Sequence, residues 1–444
     1  MAHERAPGPR HLGSPRGGPR PPRRAESAGP FPHRRARVCR AAGASAPSPL
    51  NVLTLSPLLL LTTGLVLGRP CAASQLLAVA ASAADTALSG ATVAQPKTPT
   101  AALFANPAAL VLFDETTADG TAAIASARTE VDASLPPTYA DDSSFLVVAP
   151  GFGLAVPTKG GWYWGLGGYG AVGNRFDFEA DPAAGVDHGF FSEAGVFTAV
   201  AALAYRFNDR LSMGAAVTPL FGLLRMRFAL QGLPFRYTLT GPGIQGMLGV
   251  RWEPRAGLAL GLGARTPGRV WMEGSMPLGP TRQDVDLELE MPAQVFAGIT
   301  KRLGERTAVS VAARWSDTSS FGNSLIEFER TSKLSLPFVP GASDEWLVSV
   351  GVEYAWSDLL TLRAGGSHAN GIVGTKGVSP LLFDGDDYRV GGGFGLNFDA
   401  WSVDFMAGHA FEASRRVAAR EAAVFPGRYS LDGQVVMGGV TWRR

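Results

Sequence analysis

The sequence is poor in cysteine, histidine and charge, and each shortage excludes a class of protein. Cys39 and Cys71 are the only cysteines among 444 residues, and both lie in an N-terminal leader. The rest of the chain therefore has no disulfide framework and no thiol chemistry. Beyond the leader only His188, His368 and His409 remain of the six histidines, without the spacing of a metal site. Charged residues make up 18% of the chain, which is too few for an intrinsically disordered protein.

The sequence also lacks the motifs of common enzymes. It contains no Gly-x-Ser-x-Gly elbow, no Walker-type phosphate loop and no dinucleotide fingerprint at a strand-to-helix turn. The glycine-rich run 165–173 lies among Trp162, Trp164 and Tyr169, so it is interpreted as part of a strand and not as a phosphate cradle. We therefore predict that the protein is not an enzyme and has no catalytic residue, no metal and no cofactor.

Positive charge is concentrated at the N-terminus. The first 40 residues hold ten arginines but only two acidic residues, Glu4 and Glu26. The positive charge of this segment is therefore larger than the formal net charge of the whole chain, which is +2. The remainder is consequently acidic overall. An acidic body does not attract polyanions, so no nucleic-acid partner is expected.

The leader has two parts. Residues 1–47 are rich in Pro, Gly and Arg and cannot bury enough apolar surface to fold, so they are predicted to be disordered. Residues 48–84 combine an apolar run around Leu58–Leu61 with small residues, which is the order of a secretory signal. The alternative is a transmembrane anchor, but Pro57 and the segment 62–64 interrupt the apolar stretch, which is short for a span.

Glycine is abundant, with 55 residues, and from about residue 121 the chain alternates between apolar and small or polar side chains. Tight polar turns alternate with long connections along this region. The tight turns are predicted at 158–160, 208–210, 253–256, 304–306, 357–358 and 399. The long connections include 174–192, 274–284, 317–343, 370–386 and 414–428. The pattern predicts an all-β fold, a 14-stranded antiparallel transmembrane barrel over residues 121–444. Such a barrel has short turns at one end, long loops at the other, and both chain ends on the side of the short turns.

The two faces of the predicted strands differ in chemistry. Between Trp346 and Tyr354 one face is a valine band with an aromatic residue at each end, whereas the other carries Leu347, Ser349, Gly351 and Glu353. Aliphatic residues flanked by aromatics are typical of a lipid-facing surface. A soluble β-sandwich or propeller also alternates, but its exposed face should be polar, and no propeller-length repeat is present.

Residues 85–120 lack this alternation and have the length of a plug inside a barrel. They contain Ala101–Leu110, with the sequence Ala-Ala-Leu-Phe-Ala-Asn-Pro-Ala-Ala-Leu. This stretch resembles the early motif of the FadL-type (OmpP1/FadL/TodX) family of outer-membrane transport proteins. Further similar segments follow in the same order, at 204–211, 249–260, 289–298 and 344–365.

The resemblance implies passive transport of hydrophobic molecules, either long-chain fatty acids or aromatic hydrocarbons. In such a channel the extracellular loops capture the ligand, an apolar pocket in the lumen binds it, and it leaves sideways through a kinked third strand. We expect the plug motif to be Asn106, Pro107 and Ala108. The glycines expected at a kink in strand 3 are Gly167, Gly168 and Gly170, for which the alternative role is close packing against the plug.

Four cations are candidates for binding a carboxylate head group. They are Arg225, Arg227, Arg236 and Lys333. Apolar clusters on the long connections, among them 233–235 and 381–383, suit ligand capture or loop packing equally.

Two other functions share the barrel. One is a diffusion porin for small polar solutes, and the other is a structural or adhesive barrel. A plug-sized segment ahead of the first strand argues against the porin. We expect a bacterial outer-membrane location, a hydrophobic small-molecule ligand, contact with outer-membrane lipid, and a monomer.

Overall fold

The computed structural model describes residues 80–133, 139–184, 186–230, 233–278, 281–328, 334–418 and 426–444. The predicted disordered leader, most of the predicted signal region and Lys333 lie outside the described residues. All described residues belong to one unit, Pro57–Arg444.

One antiparallel sheet closes on itself to form a barrel of 14 wall strands, which confirms the predicted fold. Closure comes from the pairing of the first strand with both the second and the last. The wall strands are β1 (Thr117–Ala133), β2 (Tyr139–Pro157), β3 (Trp162–Phe178), β4 (Phe190–Asn208), β5 (Leu211–Leu230), β6 (Leu233–Arg255), β7 (Leu258–Arg265), β10 (Gln294–Leu303), β11 (Thr307–Ser316), β14 (Glu345–Ala355), β15 (Leu360–Ala369), β16 (Asp387–Asn397), β17 (Trp401–Val417) and β18 (Gly427–Arg443).

The six tight turns lie at one end of the barrel, which we call the short-turn end. Five of them agree with the predicted positions, and the one predicted at 253–256 is formed by residues 256–257, because β6 continues to Arg255. Glycines at three of these turns have the positive φ that a tight hairpin requires, with values of 77° at Gly160, 73° at Gly257 and 69° at Gly304. The opposite end, which carries the longer connections, is called the long-loop end.

Two of the long connections contain strands that include residues predicted as loops, namely 274–284 and 317–343. The connection after β7 forms a hairpin of β8 (Gly268–Leu278) and β9 (Thr281–Met291), and the connection after β11 forms β12 (Leu325–Phe328) and β13 (Leu334–Pro337). These strands extend the sheet from β6: β8 pairs with β6, β9 with β8, β12 with β9, and β13 with β12. In β9, Asp284 and Glu288 are exposed while Val285 and Leu287 are buried, so the outer face is acidic.

Two predicted boundaries also differ from the structure. The first strand begins at Thr117, inside the segment assigned to the plug. Residues 81–84, assigned to the signal region, are buried inside the barrel. Small residues are required there because the wall is close: Ala81 and Ala83 lie against Gly151 and Gly439 of the wall.

The faces of the wall strands are arranged as predicted. Trp346 and Val350 are 59% and 49% exposed on the outer surface, whereas Leu347 and Ser349 are buried on the inner one. The outer surface is therefore apolar. Among the charged residues of the wall strands, Arg265, Arg314 and Asp404 are buried on the inner surface. Among the described residues, no helix is both long and apolar enough to cross a membrane.

A charge at the middle of the outer surface should destabilise the barrel in lipid. Val350 is central in β14, so Val350→Arg is expected to lower the free energy of unfolding by about 2 to 4 kcal/mol, because the guanidinium would be placed in hydrocarbon. Leu303→Arg, at the short-turn end of β10, is the matched control and should cost about 0 to 1 kcal/mol. Urea unfolding in phospholipid vesicles measures both, and equal costs would contradict the assignment of the lipid-facing band.

Candidate functional site

Three short helical segments fill the lumen and together form the plug. They are α1 (Ala83–Ala87), α2 (Pro99–Ala105) and a 3₁₀ helix at Pro107–Leu112. Each begins at a residue whose side chain accepts a hydrogen bond from the backbone of the first turn: Ser82, Thr98 and Asn106. Their residues are almost all buried, so the plug packs against the inner wall.

Asn106 joins the plug to the wall. Its Nδ2 donates to the carbonyl oxygen of Val93 at 3.1 Å and to that of Val250 in β6 at 3.0 Å. Its Oδ1 accepts from the backbone N–H of Ala108 at 3.1 Å. One buried side chain thus connects two plug segments and one wall strand. Pro107 follows at the first position of the 3₁₀ helix, where a missing N–H costs nothing.

The plug backbone approaches the wall so closely that several inward wall positions have to be glycine. A Cβ at Gly249 would lie 2.2 Å from Asn106 Oδ1, and one at Gly263 would lie 2.0 Å from the carbonyl oxygen of Ala105. Gly167 belongs to this group, because its Cβ would lie 2.6 Å from Leu103 Cδ1. Its surroundings fit the alternative role of packing against the plug.

Ion pairs hold the plug on the opposite side of the lumen. Lys97 Nζ lies 2.7 Å from Glu353 Oε1, and Glu353 Oε2 lies 2.8 Å from Nε of Arg363. Arg363 Nη1 lies 2.6 Å from Oδ1 of Asp404. The network alternates in sign across the plug, β14, β15 and β17, so each buried charge has a partner.

The wall is incompletely paired between β2 and β3. These strands pair only from Pro157 with Tyr163 to Phe152 with Gly168. Beyond that point, among the described residues, 139–151 of β2 pair with β1 only and the end of β3 pairs with β4 only. The unpaired stretch toward the long-loop end is called the lateral opening.

Two of the predicted kink glycines lie at the lateral opening. Gly168 is the last paired residue of β3, and a Cβ there would lie 2.9 Å from the ring of Phe152. A Cβ at Gly170 would meet nothing within 4 Å. The register of β3 against β4 shifts between Gly170 and Val172, which marks a bulge at Ala171. The structure therefore brings Gly168 and Gly170 to the opening and Gly167 to the plug.

A cavity of about 150 Å³ lies in the lumen beside the lateral opening and is called the lumenal cavity. Its lining includes residues from both edges of the opening, namely Ala149–Gly151 of β2 and Tyr169 and Gly170 of β3. Most of the remaining lining is small or apolar and includes Ala123, Ala125, Met406, Ala410, Val435 and Met437. Arg389 also lines the cavity, and its guanidinium is paired with Asp387.

The connection 370–386 folds inward over the long-loop end. The ring of Phe383 packs 4.8 Å from that of Phe176 and 5.1 Å from that of Tyr429. Asp384 accepts hydrogen bonds from the backbone N–H groups of Ile372 at 2.6 Å and Val373 at 3.0 Å. The predicted cluster 381–383 is thus packed beneath the mouth.

The candidate carboxylate-binding arginines lie apart from the lumenal cavity. Arg225 pairs with Glu193 at 3.2 Å and Arg227 with Asp177 at 3.2 Å. Arg227 and Arg236 line a second cavity, of about 610 Å³, at the long-loop end. Phe228 and Phe235, whose rings stack 5.0 Å apart, line the same cavity.

The histidines and carboxylates form no metal centre. Within the described ranges, no group of three or more His, Cys, Asp or Glu side chains is arranged to hold a metal ion. His368 stacks on Tyr388 with ring centroids 4.3 Å apart, and His409 Nε2 lies 3.2 Å from Asp432 Oδ2.

Fold and lumen together define a plugged barrel of the outer-membrane type. Residues 66–230 and 245–440 match the family described as outer membrane protein transport protein (OMPP1/FadL/TodX), and the chain belongs to this family. Its members are transport channels of the bacterial outer membrane, which fits the barrel and its apolar outer surface.

Solved structures share the fold. A Pseudomonas aeruginosa FadL homologue matches with a TM-score of 0.70 at 18% identity, over 83% of this chain and 99% of that one. The Pseudomonas putida toluene transporter TodX matches with a TM-score of 0.67 at 18% identity, over the same shares. The Ralstonia pickettii toluene transporter TbuX matches with 0.62 at 18% identity, over 82% and 98%. No curated protein matches the chain by sequence.

Removing the Asn106 side chain should loosen the plug while the barrel stays folded. Asn106→Ala removes the hydrogen bonds to the carbonyl oxygens of Val93 and Val250 and the one from the N–H of Ala108, so amide exchange of residues 93–112 should become faster, corresponding to a loss of about 1 to 3 kcal/mol. Asn323→Ala, at an exposed position of the long-loop end, is the control and should leave this exchange unchanged. Unchanged protection in Asn106→Ala would show that the side chain does not hold the plug.

The mouth connection should respond to pH through Asp384. Burial raises the pKa of the Asp384 carboxyl from 3.8 to about 6. A raised folded-state pKa means that the folded connection binds the proton more tightly. Its stability should therefore be highest below about pH 4, where both states are protonated, and should fall as the pH rises from about 4 to about 6, because only the unfolded connection ionises in that range. The protection factors of the Ile372 and Val373 amides, which are exchange rates corrected for the intrinsic effect of pH, measure this stability. Asp384→Asn should remove their pH dependence between about pH 4 and 6, and an unaltered pH dependence would assign it to another group.

Proposed function

We propose that this protein carries small apolar molecules through the bacterial outer membrane by passive diffusion and releases them sideways through the lateral opening. The observation that carries the proposal is that the lumenal cavity borders this opening, with lining residues from both of its edges. The free energy of an apolar solute is lower when the solute is buried in an apolar environment than when it is in water. A route from a lumenal cavity into the bilayer never returns it to water.

The size of the cavity supports a cargo with one aromatic ring. An apolar cavity of about 150 Å³ in another protein binds benzene. The lumenal cavity has the same volume and is lined mainly by small and apolar side chains, with its one arginine paired. The related channels TodX and TbuX are described as toluene transporters. We therefore propose a monoaromatic hydrocarbon as the cargo and treat long-chain fatty acid as the alternative.

The cavity at the long-loop end is proposed as the capture site. Phe228 and Phe235 supply apolar contact there for either cargo, and Arg227 and Arg236 would attract the carboxylate of the alternative cargo, a long-chain fatty acid. From this site the cargo would pass beneath the connection 370–386 into the lumen. Movement of the plug around Asn106, Pro107 and Ala108 would then enlarge the lumenal cavity toward the opening.

The outer surface supports the remaining proposals. Its apolar band contacts outer-membrane lipid, and the protein acts as a monomer because each barrel contains its own opening and cavity. The predicted leader and signal would direct export. A diffusion porin is the weaker hypothesis, because the plug segments occupy the lumen through buried contacts with many wall strands.

Filling the lateral opening should slow uptake. Gly170→Trp places a large side chain at a position where a Cβ meets nothing within 4 Å, and it should reduce the initial rate of toluene uptake at least about tenfold, since the ring occupies the exit. Gly438→Trp, on the lipid-facing side of β18 and equally unobstructed, is the matched control and should retain the rate.

The measurement compares labelled toluene and labelled oleate in cells that lack their own transporter. Faster entry of toluene alone supports the monoaromatic cargo, and faster entry of oleate assigns the fatty-acid alternative. If neither enters faster although the barrel is inserted, the transport proposal is wrong. If both tryptophan variants slow entry equally, the cargo does not use the lateral opening.

A further inference from the structure

One buried arginine connects the plug to the edge of the lateral opening. Arg265 is the last residue of β7, and its Nη2 donates both to the carbonyl oxygen of Phe104 at 2.6 Å and to the hydroxyl of Tyr169 at 3.1 Å. Its Nη1 donates to Oε1 of Gln294 in β10 at 2.6 Å. Phe104 lies in the last turn of α2, where carbonyl groups lack helical partners and attract cations.

The charge of Arg265 has only neutral partners among the described residues. All three of its acceptors are uncharged, and its Nε has no hydrogen-bond partner. The guanidinium lies 5.5 Å from the ring centroid of Phe104 and 5.4 Å from that of Phe296. By contrast, the nearby buried Arg314 pairs with Glu345 at 2.7 Å.

Tyr169 borders both the lateral opening and the lumenal cavity. It follows Gly168, the last residue of β3 that pairs with β2, and its side chain is buried against the plug. Its ring meets that of Phe104 edge-on, with centroids 5.2 Å apart. It also lines the lumenal cavity together with Ala149–Gly151 from the other edge of the opening.

From this geometry we infer that Tyr169 is the gating residue of the lateral opening and that Arg265 is the residue that positions it according to the state of the plug. The inference rests on the proposed route through the opening and names the residues that control it. While α2 is docked, Arg265 holds the Tyr169 ring against Phe104. When α2 shifts, the ring is released.

The coupling follows from what it costs to leave Arg265 unsatisfied. A buried guanidinium that loses an acceptor is left with an unpaired donor in an apolar environment. The free-energy cost of this unpaired donor is larger than the net stabilisation that the hydrogen bond had supplied. Displacement of α2 removes the carbonyl oxygen of Phe104 and one of the two aromatic contacts together. Arg265 then has to reorient, and Tyr169 shares the same Nη2 donor. The opening therefore responds to the plug through one side chain.

Two single-hydroxyl variants of the full-length protein separate gating from support of the plug. Tyr169→Phe keeps the ring and removes only its hydrogen bond to Arg265. Ser212→Ala is the matched control, because the Ser212 hydroxyl donates to the carbonyl oxygen of Ala108 in the plug at 2.9 Å and has no contact with Tyr169. Initial rates of entry are measured in cells for toluene and for a polar β-lactam hydrolysed in the periplasm.

Tyr169→Phe should raise the rate of toluene entry about fivefold and leave β-lactam entry unchanged, since one hydrogen bond to a charged group is lost and the plug stays in place. Ser212→Ala should leave the toluene rate unchanged. Arg265→Met should act in the same direction as Tyr169→Phe, and the double variant should exceed the larger single effect by less than about twofold, because both remove the same interaction. An unchanged toluene rate in Tyr169→Phe, or equal increases for toluene and the β-lactam, would overturn the gating role.

A second measurement decides the matter without any cargo. Cys39 and Cys71 are replaced by serine, and Gly170→Cys then supplies the single thiol, next to Tyr169 at an unobstructed position. Tyr169→Phe should increase the alkylation rate of this thiol about fivefold, and Ser212→Ala should not. Failure of the wild-type protein to carry toluene would contradict the proposed function alone, whereas an unaltered alkylation rate would contradict the gate.

Discussion

The contact between the plug backbone and the inner wall is the constraint on which the rest of the structure depends. A barrel of 14 strands is too wide for its own side chains to fill, and here three short helical segments occupy the lumen. Segments this short cannot satisfy their own terminal backbone groups. Side chains such as Asn106, Thr100 and Arg251 therefore supply hydrogen bonds to the plug or from it, with Thr100 joined to Asp119 of β1 at 2.7 Å. Glycine on the wall is the consequence, because these bonds need the two backbones to be close.

The same constraint explains where space remains. The plug and the wall are in close contact where the inward wall residue is glycine, as at Gly249 and Gly263. On the side of β1, β2 and β18 the wall carries alanine, valine and methionine, and the plug leaves the lumenal cavity. The wall opens next to that cavity, between β2 and β3. An unpaired strand edge in hydrocarbon is costly because its N–H and C=O groups have no water to bond. Both strands keep their full ladder on the other side, with β1 and β4, which limits that cost to one edge of each.

Local patterns predicted the parts of the fold that local chemistry determines. The turns at 208–210 and 304–306 and the lipid-facing side of β14 follow from residues within a few positions of one another. Other features depend on distant residues. The outer face of β9 is acidic and lacks the lipid-facing pattern of the wall strands, and residues 281–284 at its start lie within the predicted loop 274–284. The lateral opening cannot be read from β2 or β3 alone, since each strand is regular by itself and only their mutual register ends at Gly168.

The candidate site shows the same division. Asn106 was indicated by the resemblance of residues 101–110 to the family motif, and Gly168 by the local effect of glycine within a strand. Arg225 and Arg227 were selected only by charge, and their pairing with Glu193 and Asp177 depends on cross-strand neighbours. Arg265 carried a sequence signal of a different kind, a charge at the inward-facing end of an apolar strand. What that charge contacts was set by the plug, and its neutral partners distinguish it from the paired arginines elsewhere in the lumen.

An apolar route also explains why a neutral set of acceptors around Arg265 suits a channel better than a carboxylate would. A buried ion pair is stable only while both partners remain in place, and separating it leaves two unpaired charges in a medium of low polarity. Arg265 is held by a backbone carbonyl, a phenol hydroxyl, an amide oxygen and two aromatic faces, so movement of α2 costs it part of this set and does not separate two charges. The plug can then shift at this position without the cost of a broken ion pair. The ion pair of Lys97 with Glu353 lies at the other end of α2, one residue before its N-cap Thr98, and holds that end to β14.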